Sequence, residues 1–386
     1  MHAVGTPDAI PAPDDDIAEL DAAGGYILPG FIDAHVHLIT EGAGVEKQLS
    51  TPFSLHFYLM VERMRRTVEA GVTSVRDAAG ADLGVKRAVD EGLVVGPRIQ
   101  IAITMLSPTG GHGDGWLPSG IELRYPPHPG RPDGRCNGVE EVRAKVREVL
   151  RCGADVVKVA TTGGVYSPTT EPTHTKFAPE ELAVIVQEAA YRDGTRVMAH
   201  AHGAGGIKNA VRAGIHSIEH GTYIDEEAIE LMLERGTFLV PTLAVHLATL
   251  EAAESDEKPA EWAIRKGREV TDIHRENIAK AYKAGVRIAM GTDTAIAPHG
   301  TNLRELGLMC EIGMSPMESI VATTKVAAEC LGWEDNVGTV EAGKLADIVI
   351  SKTDPLADIR SLEKIENIAV VIKDGQIVKD RREMAA

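Results

Sequence analysis

Hydrophobic and polar positions alternate along residues 31–38, which predicts a buried strand. Because side chains two apart on a strand point to the same face, His35 and His37 are expected to project together. Residues 55–70 instead place their apolar side chains on one helical face, which predicts an amphipathic helix. Segments of these two kinds alternate along most of the chain, so the pattern indicates an α/β fold.

Eight apolar segments are predicted as strands, and helical stretches separate most of them. The strands cover residues 31–38, 71–77, 97–104, 154–160, 196–200, 215–220, 238–243 and 286–292. The helices cover residues 55–70, 82–91, 139–152, 179–193, 205–213, 226–234, 251–284, 303–311 and 316–331. Eight strands that alternate with helices predict a (β/α)8 TIM barrel.

Shorter strands follow the predicted barrel, with Asp374-Gly375 as a hairpin turn between the last two. These strands cover residues 346–350, 368–372 and 377–378 and predict a small β-domain beside the barrel. The expected organisation is residues 1–28 as the N-terminal part of the small domain, residues 29–335 as the barrel, and residues 336–386 as the C-terminal part of the small domain.

Composition narrows the classes of partner. The 386-residue chain has a formal net charge of −17 at pH 7, which disfavours nucleic acid and predicts a soluble surface. No apolar run approaches the roughly 18 residues of a membrane span, and residues 1–20 lack the pattern of a signal peptide. The 4 cysteines lie far apart without Cys-X-X-Cys spacing, which favours reduced thiols in a cytoplasmic protein.

The predicted strands end on polar residues that can bind a metal ion or take part in catalysis. In a (β/α)8 barrel the catalytic groups lie at the C-terminal ends of the strands. The residues found there are His35 and His37 on the first strand, Lys158 on the fourth, His200 on the fifth, His220 on the sixth and Asp293 after the eighth. Neutral imidazole is a common ligand for zinc and its neighbours, so this pattern indicates a metal site.

These residues carry a family resemblance. Pro29-Gly-Phe-Ile-Asp-Ala-His-Val-His37, the lone Lys158, the two single histidines and Gly291-Thr-Asp293 resemble the amidohydrolase superfamily of metal-dependent hydrolases. Residues 338–349 are similar to the end of members that have a composite β-sandwich domain built from both termini. Residues 109–114, 163–168 and 218–223 most resemble the prolidase-like branch, which includes Xaa-Pro dipeptidases and ochratoxin-type amidases. Such members usually carry about two more strands before Ala3, so the small domain is expected to be incomplete here.

The resemblance implies a binuclear centre with two divalent ions, usually Zn²⁺. One ion takes His35, His37 and Asp293, and the outer ion takes His200 and His220. Lys158 is implied to bridge them as a carbamate formed with CO₂. Burial lowers the pKa of a lysine in the direction that this reaction needs, although a strand-end lysine can also extend to solvent. The resemblance also implies that Asp293 is the catalytic general base and then the general acid.

Other residues are expected to bind substrate or to support the ligands. The resemblance implies that His112 and Tyr223 hold the free carboxylate of a C-terminal amino acid, and His246 is a candidate for the same pocket wall. His202 shares strand parity with His200 and is expected to orient it. Arg124 and Arg131, in the long Gly/Pro-rich stretch of residues 107–138, could also pair a carboxylate. His56, His128, His174 and His274 show no supporting pattern and are predicted as surface or loop residues.

Three functions remain open at this level. The favoured one is a hydrolase that cleaves an amide or peptide bond beside a free carboxylate, as in a dipeptide or an N-acyl amino acid. The alternative keeps the fold and metals but opens a cyclic amide, lactone or carbamate, as imidazolonepropionase-like members do. A non-catalytic relative is disfavoured because all six metal-binding positions are filled. The expected partner is a small-molecule substrate, and a homo-oligomer is expected by analogy.

Overall fold

The structure is a computed structural model that describes residues 1–6, 8, 10, 19–42, 44–123, 125–256 and 258–382. Its strands are β1 (Tyr26–Pro29), β2 (Phe31–Val36), β3 (Val72–Asp77), β4 (Arg98–Ile101), β5 (Met105–Leu106), β6 (Val156–Ala160), β7 (Arg196–Ala201), β8 (Ser217–His220), β9 (Phe238–Val240), β10 (Ile348–Ser351), β11 (Ile368–Lys373) and β12 (Gln376–Asp380). Its helices are α1 (Val45–Ser50), α2 (Phe53–Glu69), α3 (Leu83–Asp90), α4 (Gly138–Arg151), α5 (Pro179–Ala190), α6 (Ala204–Ala213), α7 (Glu226–Arg235), α8 (Leu243–Ala253), α9 (Glu261–Ala284), α10 (Arg304–Glu311), α11 (Pro316–Thr323) and α12 (Lys325–Leu331). Two short 3₁₀ helices, Ile359–Glu363 and Ile365–Asn367, precede β11.

Two parallel sheets form the centre of the molecule. One has the order β2-β3-β4, and the other has the order β5-β6-β7-β8-β9. Every residue of β2, β3 and β6 is buried. Burial on both faces is typical of parallel strands that helices cover on each side.

The third predicted strand ends earlier than expected, and a separate short strand of the other parallel sheet follows it. Residues 97–104 were expected to be continuous, but β4 ends at Ile101 and β5 begins at Met105. Ile103 between them has φ 65°, a left-handed conformation that a regular strand cannot contain and that a β-branched residue rarely adopts.

The eighth predicted strand, residues 286–292, is not a regular strand. Within the described residues, its one parallel bridge joins Ile288 to Leu239 of β9, and a second isolated bridge just beyond it joins Thr294 to Val36 of β2. The amide of Ala34 also donates to the carbonyl of Met290 over 2.9 Å. The segment therefore lies between the outer strands of the two parallel sheets, and the left-handed backbone of Asp293 (φ 53°) interrupts regular pairing.

The predicted helix over residues 251–284 is two helices, and the first begins earlier than expected. Helix α8 starts at Leu243, where the sequence pattern continued a strand. The buried carboxylate of Glu305 accepts hydrogen bonds from the amides of Leu243 and Ala244 over 2.6 and 2.8 Å. A carboxyl group at a helix N-terminus satisfies amides that have no intrahelical partner.

The antiparallel sheet has the order β1-β10-β11-β12, so a strand before β2 joins strands from the end of the chain. The predicted hairpin is confirmed, since Lys373 pairs with Gln376 and the two turn residues Asp374 and Gly375 have φ of 52° and 77°. The division into regions 1–28, 29–335 and 336–386 stays a prediction. No helix in the described part of the chain is both long and apolar enough to cross a membrane.

Candidate metal centre and active site

The six predicted metal ligands converge at the carboxyl ends of the parallel strands. His35 lies near the end of β2, with His37 just beyond it, and Lys158 lies within β6. The remaining ligands lie on β7, at the end of β8 and after residues 286–292, as His200, His220 and Asp293. These side chains and a neighbouring histidine form two groups, and within each group the potential ligand atoms lie within 4.8 Å of one another. The aspartate group consists of His35, His37 and Asp293, and the histidine group consists of His200, His202 and His220.

In the aspartate group, Oδ1 of Asp293 lies 3.4 Å from Nε2 of His37 and 3.6 Å from Nε2 of His35. Nζ of Lys158 lies 3.4 Å from the same Nε2 of His35. The opposite ring nitrogens are held by the protein: Nδ1 of His35 lies 2.8 Å from Glu219, and Nδ1 of His37 lies 2.9 Å from the carbonyl of Ala79. Both imidazoles therefore turn Nε2 towards Asp293.

In the histidine group, Nε2 of His200 bonds the carbonyl of Gly163 over 3.0 Å, and its Nδ1 lies 2.9 Å from Nε2 of His220. The hydroxyl of Thr242 lies 2.7 Å from both the carbonyl of Pro241 and Nδ1 of His220. Because that hydroxyl donates its single proton to the carbonyl, it accepts from Nδ1–H of His220. Nε2 of His220 is then left with a lone pair.

His202 belongs to the same group by position. Its ring stacks on His220 with centroids 4.6 Å apart, and its Nδ1 lies 2.7 Å from the hydroxyl of Thr222. The rings of His35 and His220 lie 5.2 Å apart, so the two groups meet in one centre.

These residues fit divalent transition-metal ions by their charge state as well as their position. Burial lowers the pKa of His37 to about 4 and holds the pKa values of His35, His200 and His220 well below the usual range. The imidazoles are therefore neutral near pH 7, as ligands must be. Burial also lowers the pKa of Lys158 to about 8. Burial raises the pKa of Asp293 to about 7, and a bound cation would favour its carboxylate form. A donor set of neutral imidazoles and one carboxylate suits zinc and similar ions.

The backbone around the centre is strained. His220, Thr242 and Asp293 all adopt left-handed φ, at 71°, 54° and 53°, although none is glycine. Such conformations cost about 1–3 kcal/mol each and concentrate at functional sites. Gly291 permits a close approach, since a Cβ there would lie 2.4 Å from Val240 and 3.0 Å from Cβ of His35.

A cavity of about 270 Å³ opens onto the centre. Its apolar walls come from Leu123, Val165, Tyr166, Val245, Trp262 and Ile296. Of the three predicted substrate-binding residues, His112 and His246 line the cavity, whereas half-buried Tyr223 does not. His112 stacks on His200 with centroids 3.9 Å apart and bonds the hydroxyl of Ser167 over 2.6 Å. Nε2 of His246 is buried and has no hydrogen-bond partner within the described residues.

Two of the histidines predicted as surface or loop residues are instead buried in helices. His56 is only 5% exposed, and its ring packs against Tyr125. His274 is 1% exposed; it lies 4.8 Å from the ring of His246, and its Nε2 bonds the carbonyl of His220 over 2.9 Å. The long helix α9 carries His274 beneath the site, which local sequence could not show. Arg124 lies outside the described residues.

Glu219 and Arg76 are the supporting residues that sequence reasoning missed. Glu219 bonds His35, and its other oxygen lies 2.9 Å from the guanidinium of Arg76. Both side chains are at most 1% exposed. Arg76 and His35 hold the pKa of Glu219 at about 2 against the opposing effect of burial. The available signal was a glutamate directly before His220 inside an apolar strand, where an unpaired charge is costly.

The fold and the donor groups at the strand ends fit a hydrolase of amide bonds that uses divalent metal ions. The chain belongs to the amidohydrolase family, whose model matches residues 26–378. Ochratoxinase of Aspergillus niger is 37% identical over 368 residues, which cover 92% of this chain and 75% of that protein. A crystal structure of a Xaa-Pro dipeptidase with methionine bound in its active site is 36% identical, with a TM-score of 0.86, and the match covers 95% of this chain and 90% of that one.

A second solved structure, a prolidase in complex with N-methylphosphonate-L-proline, is 33% identical with a TM-score of 0.89. This match covers 96% of the present chain and 91% of the prolidase. The amidohydrolase assignment and its prolidase-like branch, which the sequence motifs predicted, are confirmed.

Proposed function

We propose that the protein is a binuclear metal-dependent amidohydrolase that cleaves an amide or peptide bond beside a free carboxylate. The observation that carries this proposal is the meeting of the aspartate and histidine groups, with Lys158 beside the first, at the inner end of one cavity. The ochratoxinase and prolidase relatives support the choice of an amide bond.

The proposal includes a closed (β/α)8 barrel with a small composite β-sandwich domain. The bridges of Ile288 and Thr294 to the two parallel sheets support closure, because they connect the last strand to the first. The pairing of β1 with β10 supports a small domain shared by residues 1–28 and 336–386.

One divalent ion would be held by His35, His37 and Asp293. The other would be held by His200 and His220, and His202 would orient His200. Such ions, of which zinc suits these ligands best, supply Lewis-acid activation of the carbonyl and of water. Lys158 would join both as a carbamate: its neutral amine forms an N–C bond with CO₂ and releases one proton. The low pKa of the buried Lys158 supports this step, because only the unprotonated amine reacts.

Asp293 is the proposed catalytic residue. Its carboxylate lines the cavity, where it can take a proton from the attacking water and return it to the leaving nitrogen. His112, which lines the cavity, is the proposed binding residue for the substrate carboxylate. The same role for Tyr223, which does not line the cavity, stays a prediction. Nε2 of His246 has no hydrogen-bond partner within the described residues. It is proposed to form a hydrogen bond with a polar atom of the group that occupies the apolar cavity. Homo-oligomeric assembly and a cytoplasmic location stay predictions.

A substrate panel on metal-loaded protein tests this function. We expect about two divalent ions per chain and turnover of Xaa-Pro dipeptides or N-acyl amino acids. Lactones, hydantoins and C-terminal carboxamides form the comparison arms. Faster turnover of the cyclic compounds would favour the imidazolonepropionase-like alternative, and equal turnover of carboxamides would show that no free carboxylate is required. Fewer than one ion per chain, with no turnover, would contradict the metal-dependent mechanism.

A further inference from the structure

The loop that follows β6 forms part of the active-site wall. We call residues 161–175 the β6 loop. Its residues Val165 and Tyr166 line the catalytic cavity, and the hydroxyl of Ser167 lies 2.6 Å from Nδ1 of His112. The position of this loop therefore affects both the apolar wall and the histidine that is proposed to bind substrate.

The base of the β6 loop is closed by its own backbone. Thr162 and Thr175 form an antiparallel bridge, and the amide of Gly163 donates to the carbonyl of His174 over 2.9 Å. The carbonyl of Gly163, which bonds Nε2 of His200, thus lies in a part of the loop that is fixed locally.

The tip of the β6 loop, residues 164–171, is bound by a lysine of α9. Nζ of Lys266 donates to the carbonyl of Ser167 over 2.7 Å and to the carbonyl of Thr170 over 2.6 Å. All three residues are at most 2% exposed, so water does not reach these hydrogen bonds. Removal of the ammonium group would take the donor away from two buried carbonyls, which is costly.

The surroundings of Lys266 are unusual for a charged group. A buried ammonium is costly unless its donors are satisfied, and lysine is rarely buried completely. The carboxylate of Glu171 lies 3.9 Å from Nζ, beyond hydrogen-bond distance, and accepts instead from Arg265 over 2.7 Å. Nζ also lies 5.4 Å from the ring centroid of Trp262, which lines the cavity. The charge of Lys266 is therefore directed at the backbone of the loop, where charge-assisted hydrogen bonds are stronger than neutral ones.

We propose that Lys266 is a positioning residue for substrate binding, which fixes the tip of the β6 loop against α9. The fixed tip keeps Ser167 against His112 and keeps Tyr166 in the cavity wall. This inference rests on the proposed function, in which His112 binds the substrate. Because the base of the loop supports His200 independently, loss of Lys266 should weaken substrate binding more than metal binding or the chemical step.

Steady-state kinetics test the effect on substrate binding. Lys266→Met is close to isosteric and removes the ammonium group. We expect KM for the best substrate of the panel to rise about 10-fold or more, because a misplaced binding group can cost up to about 100-fold. The kcat value and the metal content should stay within about twofold of the wild type. Lys266→Gln, a milder change that keeps a neutral donor, should show a smaller rise in KM, and Lys266→Arg should recover part of the loss.

Hydrogen exchange followed by mass spectrometry tests the position of the loop without relying on turnover. In metal-loaded Lys266→Met without substrate, residues 164–171 should exchange at least about 10-fold faster than in the wild type, because the tip loses two buried hydrogen bonds. Peptides from β7 should be unchanged. Arg265→Met is the matched control, because Arg265 lies on the same helix and contacts the same loop through the exposed carboxylate of Glu171. Exposed ion pairs contribute little, so this variant should change neither KM nor exchange.

Three results would overturn the inference. They are unchanged exchange of the tip in Lys266→Met, a fall in kcat or metal content as large as the rise in KM, and the same rise in KM in Arg265→Met. If Lys266→Met does not fold, Lys266→Gln decides by the same measurements. If the wild type hydrolyses nothing in the panel, the proposed function fails, whereas faster exchange of the tip in the Lys266 variants alone would still support the role of Lys266 in fixing the loop.

Discussion

The aspartate group and the histidine group are supported in different ways. Nδ1 of His35 bonds the buried carboxylate of Glu219, which in turn pairs with Arg76. In the histidine group the corresponding partners of His200 and His220 are the carbonyl of Gly163 and the hydroxyl of Thr242. In the aspartate group His35 is thus held by buried charge and His37 by the carbonyl of Ala79, whereas the histidine group relies on neutral hydrogen bonds throughout. We call the two the charged half and the neutral half.

This difference teaches how each half holds its imidazoles. A carboxylate behind a histidine fixes its tautomer and raises its basicity as a ligand, whereas a hydroxyl or carbonyl mainly fixes the tautomer and orientation. The charged half also depends on charge balance in the core, since Arg76 and Glu219 are both fully buried. Changes in the aspartate group should therefore affect catalysis and stability strongly, and changes in the histidine group should mainly alter metal affinity.

The largest expected effect is on turnover. Asp293→Asn keeps the shape of the side chain but removes the group that accepts a proton, so kcat should fall by about 10²- to 10⁴-fold. The check is steady-state kinetics on the best substrate of the panel, with metal content measured by elemental analysis of the same sample. His202→Asn is the comparison in the other half, and its kcat should stay well above that of Asp293→Asn. Near-wild-type turnover in Asp293→Asn at full metal content would remove Asp293 from the catalytic role.

The second effect is on stability. Glu219→Gln leaves the buried guanidinium of Arg76 without its charged partner, which should lower the free energy of unfolding by about 3–5 kcal/mol. Denaturant unfolding of the metal-free protein measures this loss. The double variant Arg76→Met with Glu219→Gln removes both charges and should recover a large part of it, because the two residues are directly coupled. If the single variant unfolds at the wild-type denaturant concentration, buried charge does not organise this half.

The sequence predicts the positions of the metal ligands but not the buried charges that support the aspartate group. Local periodicity predicts that His35, His200 and His220 lie at strand ends. Because adjacent parallel strands end at one rim of a barrel, these side chains are expected to meet. The contact between Arg76 and Glu219 spans 143 positions and has no local pattern, so it appears only in three dimensions. For the fold, residues 286–292 have strand composition, yet Asp293 turns left-handed and regular pairing is lost.

The substrate side was less accessible to sequence reasoning. His112 lies in the cavity wall, and the signal in the sequence was its glycine-rich turn after the third predicted strand. Its role in binding substrate stays a prediction. Tyr223 follows a strand as well but lies outside the cavity, since side-chain direction after a turn depends on packing and not on spacing. His274 makes a tertiary contact with His246, which the helical periodicity of α9 alone could not indicate.

The smallest expected effect separates His220 from His202 as ligands within the neutral half. Thr242→Val and Thr222→Val are isosteric changes, and each removes the hydroxyl that bonds Nδ1 of a buried histidine. The distance from the threonine oxygen to Nδ1 is 2.7 Å in both cases. Thr222→Val should cost about 0.5–1.5 kcal/mol of stability, the net value of one hydrogen bond. Thr242→Val should cost more, because the Thr242 hydroxyl also donates to the carbonyl of Pro241. Only Thr242→Val should also weaken metal binding, by about 10-fold, because Thr242 sets the tautomer of the proposed ligand His220. Competition with a fluorescent chelator measures both variants side by side. A larger loss of metal affinity in Thr222→Val would show that His202, and not His220, coordinates the ion.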